Sequence, residues 1–291
     1  MSVNFRITLF FLLSILFPGF LAAQSLSVPY LDSAWIKPYE PFRVAGNVYY
    51  VGTYDLASYL ITTSEGHILI NTGMAESAAT IREGVERLGF KFSDIRILLT
   101  NQVHYDHVAA FAEIKKTTGA KMMVNEPDAQ VLADGGKSDF IFGNQGATFA
   151  PVTVDRILHD RDTIQLGDTK LIMFSHPGHT KGSCSFLLET RDEKRTWKLL
   201  IANIPTVLSE ARMTGMPGYP TIAKDFARTF ESMKAITFDI WVAAHASQFD
   251  LHDKRKPGDP YNPAVFADHK TYLAFIATMQ RTYNKRLKEK K

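Results

Sequence analysis

The chain is almost without cysteine: Cys184 is the only one in 291 residues. An intramolecular disulfide is therefore excluded, even in an oxidising compartment. Cys184 lies in GSCSFLLE, a strand-like stretch with no obvious base beside it, and reads as a buried structural thiol ahead of a nucleophile or a metal ligand. A large excess of either charge sign is missing too. The 33 basic and 30 acidic residues are interspersed over most of the chain, which argues against a nucleic-acid partner. The one basic run, KRLKEKK at 285–291, ends a helix and reads as a solvated tail. Neither a fixed-period repeat nor a Pro/Ser/Gly-rich linker divides the sequence, so one compact domain is expected. Beyond residue 23 no stretch approaches the ~18 uninterrupted apolar residues of a membrane-spanning helix.

One long apolar run is present. After Arg6 comes ITLFFLLSILFPGFLAA, interrupted by Pro18-Gly19 and closing on small residues. That pattern reads as a secretory signal peptide, residues 1–23, cut near Ala23-Gln24; the break and the small-residue exit suit cleavage better than an uncleaved anchor. The expected mature chain, 24–291, is a soluble monomer exported to the periplasm, with no membrane span.

Short apolar runs separated by turn signals begin near residue 43. VYYVG at 48–52 and YLITT at 59–63 lead through Ser64-Glu65-Gly66 into HILINTG, so the last two runs predict a hairpin. Ile81, Val85 and Leu88 mark an amphipathic helix, IRILLT at 95–100 a buried strand, and a helix is expected through about 108–117. Strands follow at about 121–125, 169–175, 183–190 and 197–202, then a helix near 221–234, the strand FDIWVAA and a long last helix. In that helix Val265, Tyr272, Ile276, Met279, Tyr283 and Leu287 form one stripe that reads as core. Two strand-rich halves, each ending in helices, predict two sheets face to face with helices outside.

The histidines separate by setting. His104, Asp106 and His107 follow strand 95–100, His179 follows strand 169–175, and His245 ends FDIWVAAH. Each lies past the C-terminal end of an apolar strand, where loops of one edge converge. Imidazole nitrogens with a carboxylate are a set suited to Zn²⁺. In an extended loop His104 and Asp106 would project to one side and His107 to the other, so one short segment could serve one metal or two. His67, His159 and His252 read as surface groups, His269 as part of the polar start of the last helix, and His176 as a minor candidate for an outer or alternative ligand.

The segments PFRVAGNVYYVGTYDLASYLI, QVHYDH, HPGHTKGSCSF and DIWVAAHASQFDLHDKRK with its GDPYNP continuation resemble the metallo-β-lactamase family. The likeness is to subclass B3 enzymes of the GOB type, whose His-x-His-x-Asp-His motif begins with Gln. It runs over nearly the whole mature chain and implies an α/β (α+β) fold, the αββα sandwich. It implies Gln102, His104 and His179 at a first zinc position, and Asp106, His107 and His245 at a second. Because an amide oxygen is a weaker zinc donor than imidazole nitrogen, the Asp106/His107/His245 site is expected to be the tighter of one or two Zn²⁺ sites. Asn71 departs from the wider family, standing in INTG where an aspartate is common. The implied activity is hydrolysis of the lactam amide of penicillins, cephalosporins and carbapenems, hence antibiotic resistance. Zinc-bound water would be the nucleophile, Asp106 would orient it, and no covalent acyl-enzyme would form. Ile204 and Thr206 in ANIPTV, and Lys181, are candidate substrate contacts. Trp35, Tyr50 and Tyr54 are candidates for an apolar wall, with core packing the stronger reading. A same-fold hydrolase of a lactone or thioester, and a metal-binding protein without turnover, are the rival readings.

Overall fold

A computed structural model describes residues 26–289 together with Met1; the rest of the expected signal segment lies outside the described residues. Two sheets face each other. The first runs in the order β1 (Phe42–Ala45), β2 (Val48–Tyr50), β3 (Tyr59–Thr63), β4 (Gly66–Ile70), β5 (Ile95–Leu99), β6 (Lys121–Asn125) and β7 (Arg156–Leu158). The second holds β8 (Thr163–Leu166), β9 (Thr169–Ser175), β10 (Cys184–Arg191), β11 (Thr196–Ala202) and β12 (Ile240–Ala243), adjacent in chain order. β1 to β4 pair antiparallel, and β4 to β7 parallel. In the second sheet only the β11–β12 pair is parallel.

The continuous apolar runs in β4 and β5 are explained by burial on both faces. Ile68, Ile70, Ile97 and Leu99 pack between the sheets, while Leu69, Ile95 and Leu98 pack outward under the helices Ser77–Arg87 and Phe111–Thr118. Side chains alternate along a strand, so a strand covered on both sides needs apolar residues at every position. Each such side chain removed from water is worth about 1.5–3 kcal/mol. On the other side, Phe226, Phe230 and Met233 of the helix Ile222–Ala235, and Tyr272, Ile276 and Tyr283 of the helix His269–Lys288, pack over the second sheet. The result is the αββα sandwich expected.

Several local expectations need correction. Val265 belongs to a separate turn, Pro263–Phe266, because the last helix begins only at His269, capped by the Asp268 carboxylate on the Thr271 amide. Leu287 is exposed near the helix end. The turn before His67 has only two loop residues, so His67 already pairs with Thr62 in the β3–β4 ladder; it is buried against Phe90. His252 is half-buried, donating from Nε2 to the Tyr54 carbonyl at 2.8 Å. His159 and His269 are exposed, as expected. Cys184 is buried, its Sγ directed at the Thr100 carbonyl.

Pairing directions create the functional edge. β4 and β5 are parallel and end together at Ile70 and Leu99. β9 and β11 flank β10 antiparallel, and β12 runs parallel to β11, so their C-terminal ends share one edge. Donation from the Cys184 amide to the Asn101 carbonyl at 2.8 Å ties the two edges together.

Candidate metal centre

The QVHYDH segment is not one extended loop. A short helix, Tyr105–Val108, starts inside it with His104 as its N-cap residue, and a second helix follows at Phe111–Thr118. The strict alternation expected of His104, Asp106 and His107 is therefore replaced by a helical turn. Asp106 and His107 now face one group: Asp106 Oδ2 lies 3.2 Å from His107 Nε2 and 3.5 Å from His245 Nε2. The donor atoms of Asp106, His107 and His245 all fall within 4.8 Å of one another. His104 turns to the other strand end, with Nδ1 3.1 Å from His179 Nε2. Gln102, buried, lines the same cleft.

The cleft encloses about 510 Å³. Its walls include Trp35, Phe142, Thr206, Leu208 and Glu210, with His104, Asp106, His179 and His245 at its base. Trp35 packs against His245 and Tyr105, whereas Tyr50 is a core residue and Tyr54 stacks on His252. Of the substrate candidates only Thr206 lines the cleft. Ile204 is a core residue, since it continues directly from β11 into the sandwich interior. Lys181 lies outside the cleft lining, its ammonium 5.9 Å from the Tyr219 ring.

Hydrogen bonds behind the ring nitrogens fix which atoms face the cleft. His179 Nδ1 meets the Thr206 carbonyl and hydroxyl, both at 2.9 Å, which leaves Nε2 as the lone-pair nitrogen. His245 Nδ1 meets Asp55 Oδ2 at 2.9 Å, so its Nε2 likewise faces inward. Asp55 also accepts from the Ser247 amide and the Trp35 indole. Asp55 carries no sequence signal of this role, being 190 residues from its histidine.

The electrostatics favour a cation. Burial opposes charge on Asp106, but His107 and His245 outweigh it and hold the carboxyl well below its usual range. His245 is opposed by burial yet raised to about 9 by Asp106 and Asp55. His179 is pushed down to about 3, first by burial and then by His104. Two neutral imidazoles whose lone pairs meet at 3.1 Å repel unless a proton or cation lies between them. Both nitrogens of His107 are buried without a hydrogen-bond partner among the described residues. The donor set thus fits zinc: imidazole nitrogens, a carboxylate and an amide oxygen around a polar cleft base.

The loops are held by a buried polar layer. Asp128 accepts from the Val103 amide at 3.0 Å, the Thr180 hydroxyl at 2.7 Å and the Gly182 amide at 2.7 Å. A Cβ at Gly182 would fall 2.6 Å from Asp128, which explains one glycine of HPGHTKGS; at Gly178 (φ +139°) it would strike the Phe226 ring. Asn71 adopts a left-handed backbone (φ 59°), which asparagine tolerates better than most residues. Its Oδ1 accepts from the Asn101 amide while Nδ2 donates to Asn101 Oδ1, both at 2.9 Å. An aspartate in this orientation could not make the second bond, so here the neutral amide supports the loop through hydrogen bonds rather than charge.

His176 is turned away from the centre, its nitrogens on Ser185 Oγ (2.8 Å) and Ser232 Oγ (3.3 Å). Burial, then Arg161 and Arg228, push its pKa down to about 3. It stays neutral in the folded protein while the unfolded chain binds a proton near the ordinary histidine value. Stability is therefore lost as pH falls below about 6.5, by about 1.4 kcal/mol per unit until the folded pKa is reached. In chelator-treated protein, denaturant unfolding of His176→Gln should give a shallower acid slope by roughly that amount. An unchanged slope would assign the proton uptake elsewhere.

A sandwich with facing metal-donor groups at one strand edge defines a metallohydrolase-type centre. The sequence model of the metallo-β-lactamase superfamily matches residues 53–192. The class B3 di-zinc metallo-β-lactamase LRA-12 from an Alaskan soil metagenome is 57% identical over 90% of this chain and 100% of its own, with a TM-score of 0.89. A β-lactamase from Chitinophaga pinensis is 55% identical over 89% of this chain and 98% of its own, also with a TM-score of 0.89. The metallo-β-lactamase GOB-18 from Elizabethkingia meningoseptica is 51% identical over 92% of this chain and 100% of its own, with a TM-score of 0.91. The chain belongs to the metallo-β-lactamase superfamily, in its subclass B3.

Proposed function

We infer that the protein is a zinc-dependent β-lactamase that opens the lactam amide of penicillins, cephalosporins and carbapenems and so confers resistance to them. The observation that carries this reading is the pair of donor groups at the cleft base, Gln102/His104/His179 beside Asp106/His107/His245, in a chain over half identical to enzymes named as β-lactamases. Gln102 through its amide oxygen, His104 through Nδ1 and His179 through Nε2 would hold one zinc; Asp106, His107 and His245 would hold the other. When bound, zinc supplies Lewis acidity toward the lactam carbonyl and lowers the pKa of water to about 7.

The chain's own groups do the rest. Asp106, kept ionised by its two histidines, accepts a hydrogen bond from the attacking water and orients it. Asp55 and Thr206 hold His245 and His179 in the required tautomers. Trp35 and Phe142 wall the cleft against bulk water. Cys184 is buried and its thiol is pushed well up by burial, which supports hydrolysis without a covalent acyl-enzyme on this residue.

The test is hydrolysis of a penicillin, a cephalosporin and a carbapenem, with chelation and zinc add-back; no turnover of any of the three would defeat the reading. The two sites should fill unequally, because only the second contains an anionic donor. Gln102→His is expected to tighten the first site by roughly tenfold or more, imidazole being the better zinc donor. Calorimetric titration of the metal-free protein checks this, and an unchanged first-site affinity would remove Gln102 from the ligand set.

The same reading takes the mature protein as a periplasmic monomer released from a signal peptide at residues 1–23. The Ile7–Ala23 apolar run supports export, and no helix among the described residues is long and apolar enough to cross a membrane. Cell fractionation with N-terminal sequencing tests export, and sedimentation tests the oligomeric state.

A further inference from the structure

We propose that Asp139 is a positioning residue for the Gln102-bearing metal site, setting the tautomer of His104 and supplying that site's missing negative charge. This deepens the metal reading above and rests on it. The three donors of the first site are all neutral, a glutamine amide and two imidazoles. Behind His179 stand only the Thr206 carbonyl and hydroxyl. Behind His104 stands a carboxylate: Asp139 Oδ2 lies 3.4 Å from His104 Nε2, with both side chains at or below 5% exposure. That separation is an ion-pair contact and long for a hydrogen bond, and His104 Nε2 has no hydrogen-bond partner among the described residues.

The loop around Asp139 is built to hold that carboxylate. Its other oxygen, Oδ1, accepts the Ile141 amide at 2.8 Å and the Phe142 amide at 2.6 Å. The Asp139 amide donates to the Gly136 carbonyl, and its carbonyl accepts from Gly143. Three residues on, the Phe142 ring meets the His104 ring edge-on at 5.1 Å. One loop thus contacts His104 twice, at its back nitrogen and at its face.

The chemistry follows from proton positions. A carboxylate can only accept, so His104 beside it carries its proton on Nε2 and presents the Nδ1 lone pair to His179 and the metal position. The carboxylate also makes the imidazole a stronger donor, a contribution that matters most where Gln102 replaces a better ligand. In Asp139→Asn the Ile141 and Phe142 amides require an acceptor and keep the amide oxygen on their side. The NH₂ group then faces His104 Nε2 as a donor. The tautomer inverts and places a proton on Nδ1, as an amide does behind a triad histidine.

Histidine ¹⁵N spectroscopy of the metal-free protein, at a pH above the titration of His104 where the ring carries a single proton, reads this directly. Wild-type His104 should be the Nε2–H tautomer and Asp139→Asn the Nδ1–H tautomer, with the thermal midpoint little changed. Zinc titration should show first-site affinity lower by about 10–100-fold in the variant, with the Asp106/His107/His245 site unchanged. Wild-type protein with His104 protonated on Nδ1 overturns the proposal without any variant, so a poorly folding Asp139→Asn does not protect it. Unchanged tautomer and affinity in the variant, with a wild type whose His104 signals respond to zinc, overturns the proposal alone. Wild-type His104 signals that ignore zinc overturn the metal reading of the first site, and the role of Asp139 with it.

Discussion

Asp128→Ala is expected to destabilise the protein by on the order of 3–5 kcal/mol, because three buried donors would lose their acceptor together. The carboxylate touches no residue that faces substrate. It joins Val103, which lies between Gln102 and His104, to Thr180 and Gly182, which follow His179. The site is 2% exposed, and the alanine would leave two amides facing a small void and the Thr180 hydroxyl with only Ser183 Oγ, at 2.8 Å, as a partner. At this chain length the loss corresponds to a midpoint lower by roughly 10 °C. Asp128→Asn should not rescue it fully, since its NH₂ must face at least one of those donors. Thr180→Val removes a single hydroxyl and should cost only about 1 kcal/mol. Chemical unfolding of the three variants, with zinc removed, gives the ranking; a near-neutral Asp128→Ala would mean that water replaces the carboxylate and that the two ligand loops are held by other contacts. The same variant should lose first-site zinc affinity, because the separation of His104 from His179 depends on the clamp.

How far the sequence carried these conclusions can be judged residue by residue. Strands β4 and β5 were legible because burial on both faces writes itself as an apolar run, here Ile68–Ile70 and Ile97–Leu99, and the β3–β4 hairpin because Ser64-Glu65-Gly66 is a local turn signal. Strands β7 and β8 were not, being three and four residues long with exposed positions. Five residues of the centre, His104, Asp106, His107, His179 and His245, were visible as chemistry at strand ends, while Gln102 and the division into two groups came from family resemblance. Their supports were not visible. Asp55 and Asp139 lie in loops and Asp128 in a single 3-10 turn, Glu126–Asp128, and each gains its role from a partner 190, 35, or 25 to 54 residues away, respectively. No periodicity encodes such contacts; they exist only once two sheets are closed. His67 and His252 misled in the opposite sense, because polar neighbours in sequence say little about a position one residue past a tight turn or under an aromatic ring.

The carboxylates also explain why the two halves of the centre should behave differently. His245 sits between Asp55 and Asp106, so the second group contains an anionic donor and has a further carboxylate behind it. The first group has only Asp139 behind one histidine. A divalent ion should therefore occupy the second group first. Occupation of the first should depend on the loop that carries Asp139.

Asp106→Asn is accordingly the substitution expected to have the largest functional effect. It removes the only anionic donor among the six residues and the group that orients water. The loss in kcat/KM should exceed the about 100-fold typical of a supporting residue behind a ligand, and zinc stoichiometry should fall because the second group keeps only two good donors. The variant also carries a signature independent of turnover. In metal-free wild type, His245 holds a proton up to about pH 9, because Asp106 and Asp55 outweigh burial. A histidine raised in the folded state contributes stability that is full below the unfolded value near 6.5 and is lost as pH rises through the folded one. Metal-free wild type should therefore weaken between about pH 6.5 and 9, and Asp106→Asn should weaken much less over that window. Zinc binding to the wild type should tighten over the same window, as the proton that competes for His245 is released. Parallel unfolding and zinc-affinity measurements across that range check both. A variant that keeps its zinc stoichiometry and the wild-type pH dependence would remove Asp106 from the centre of the site.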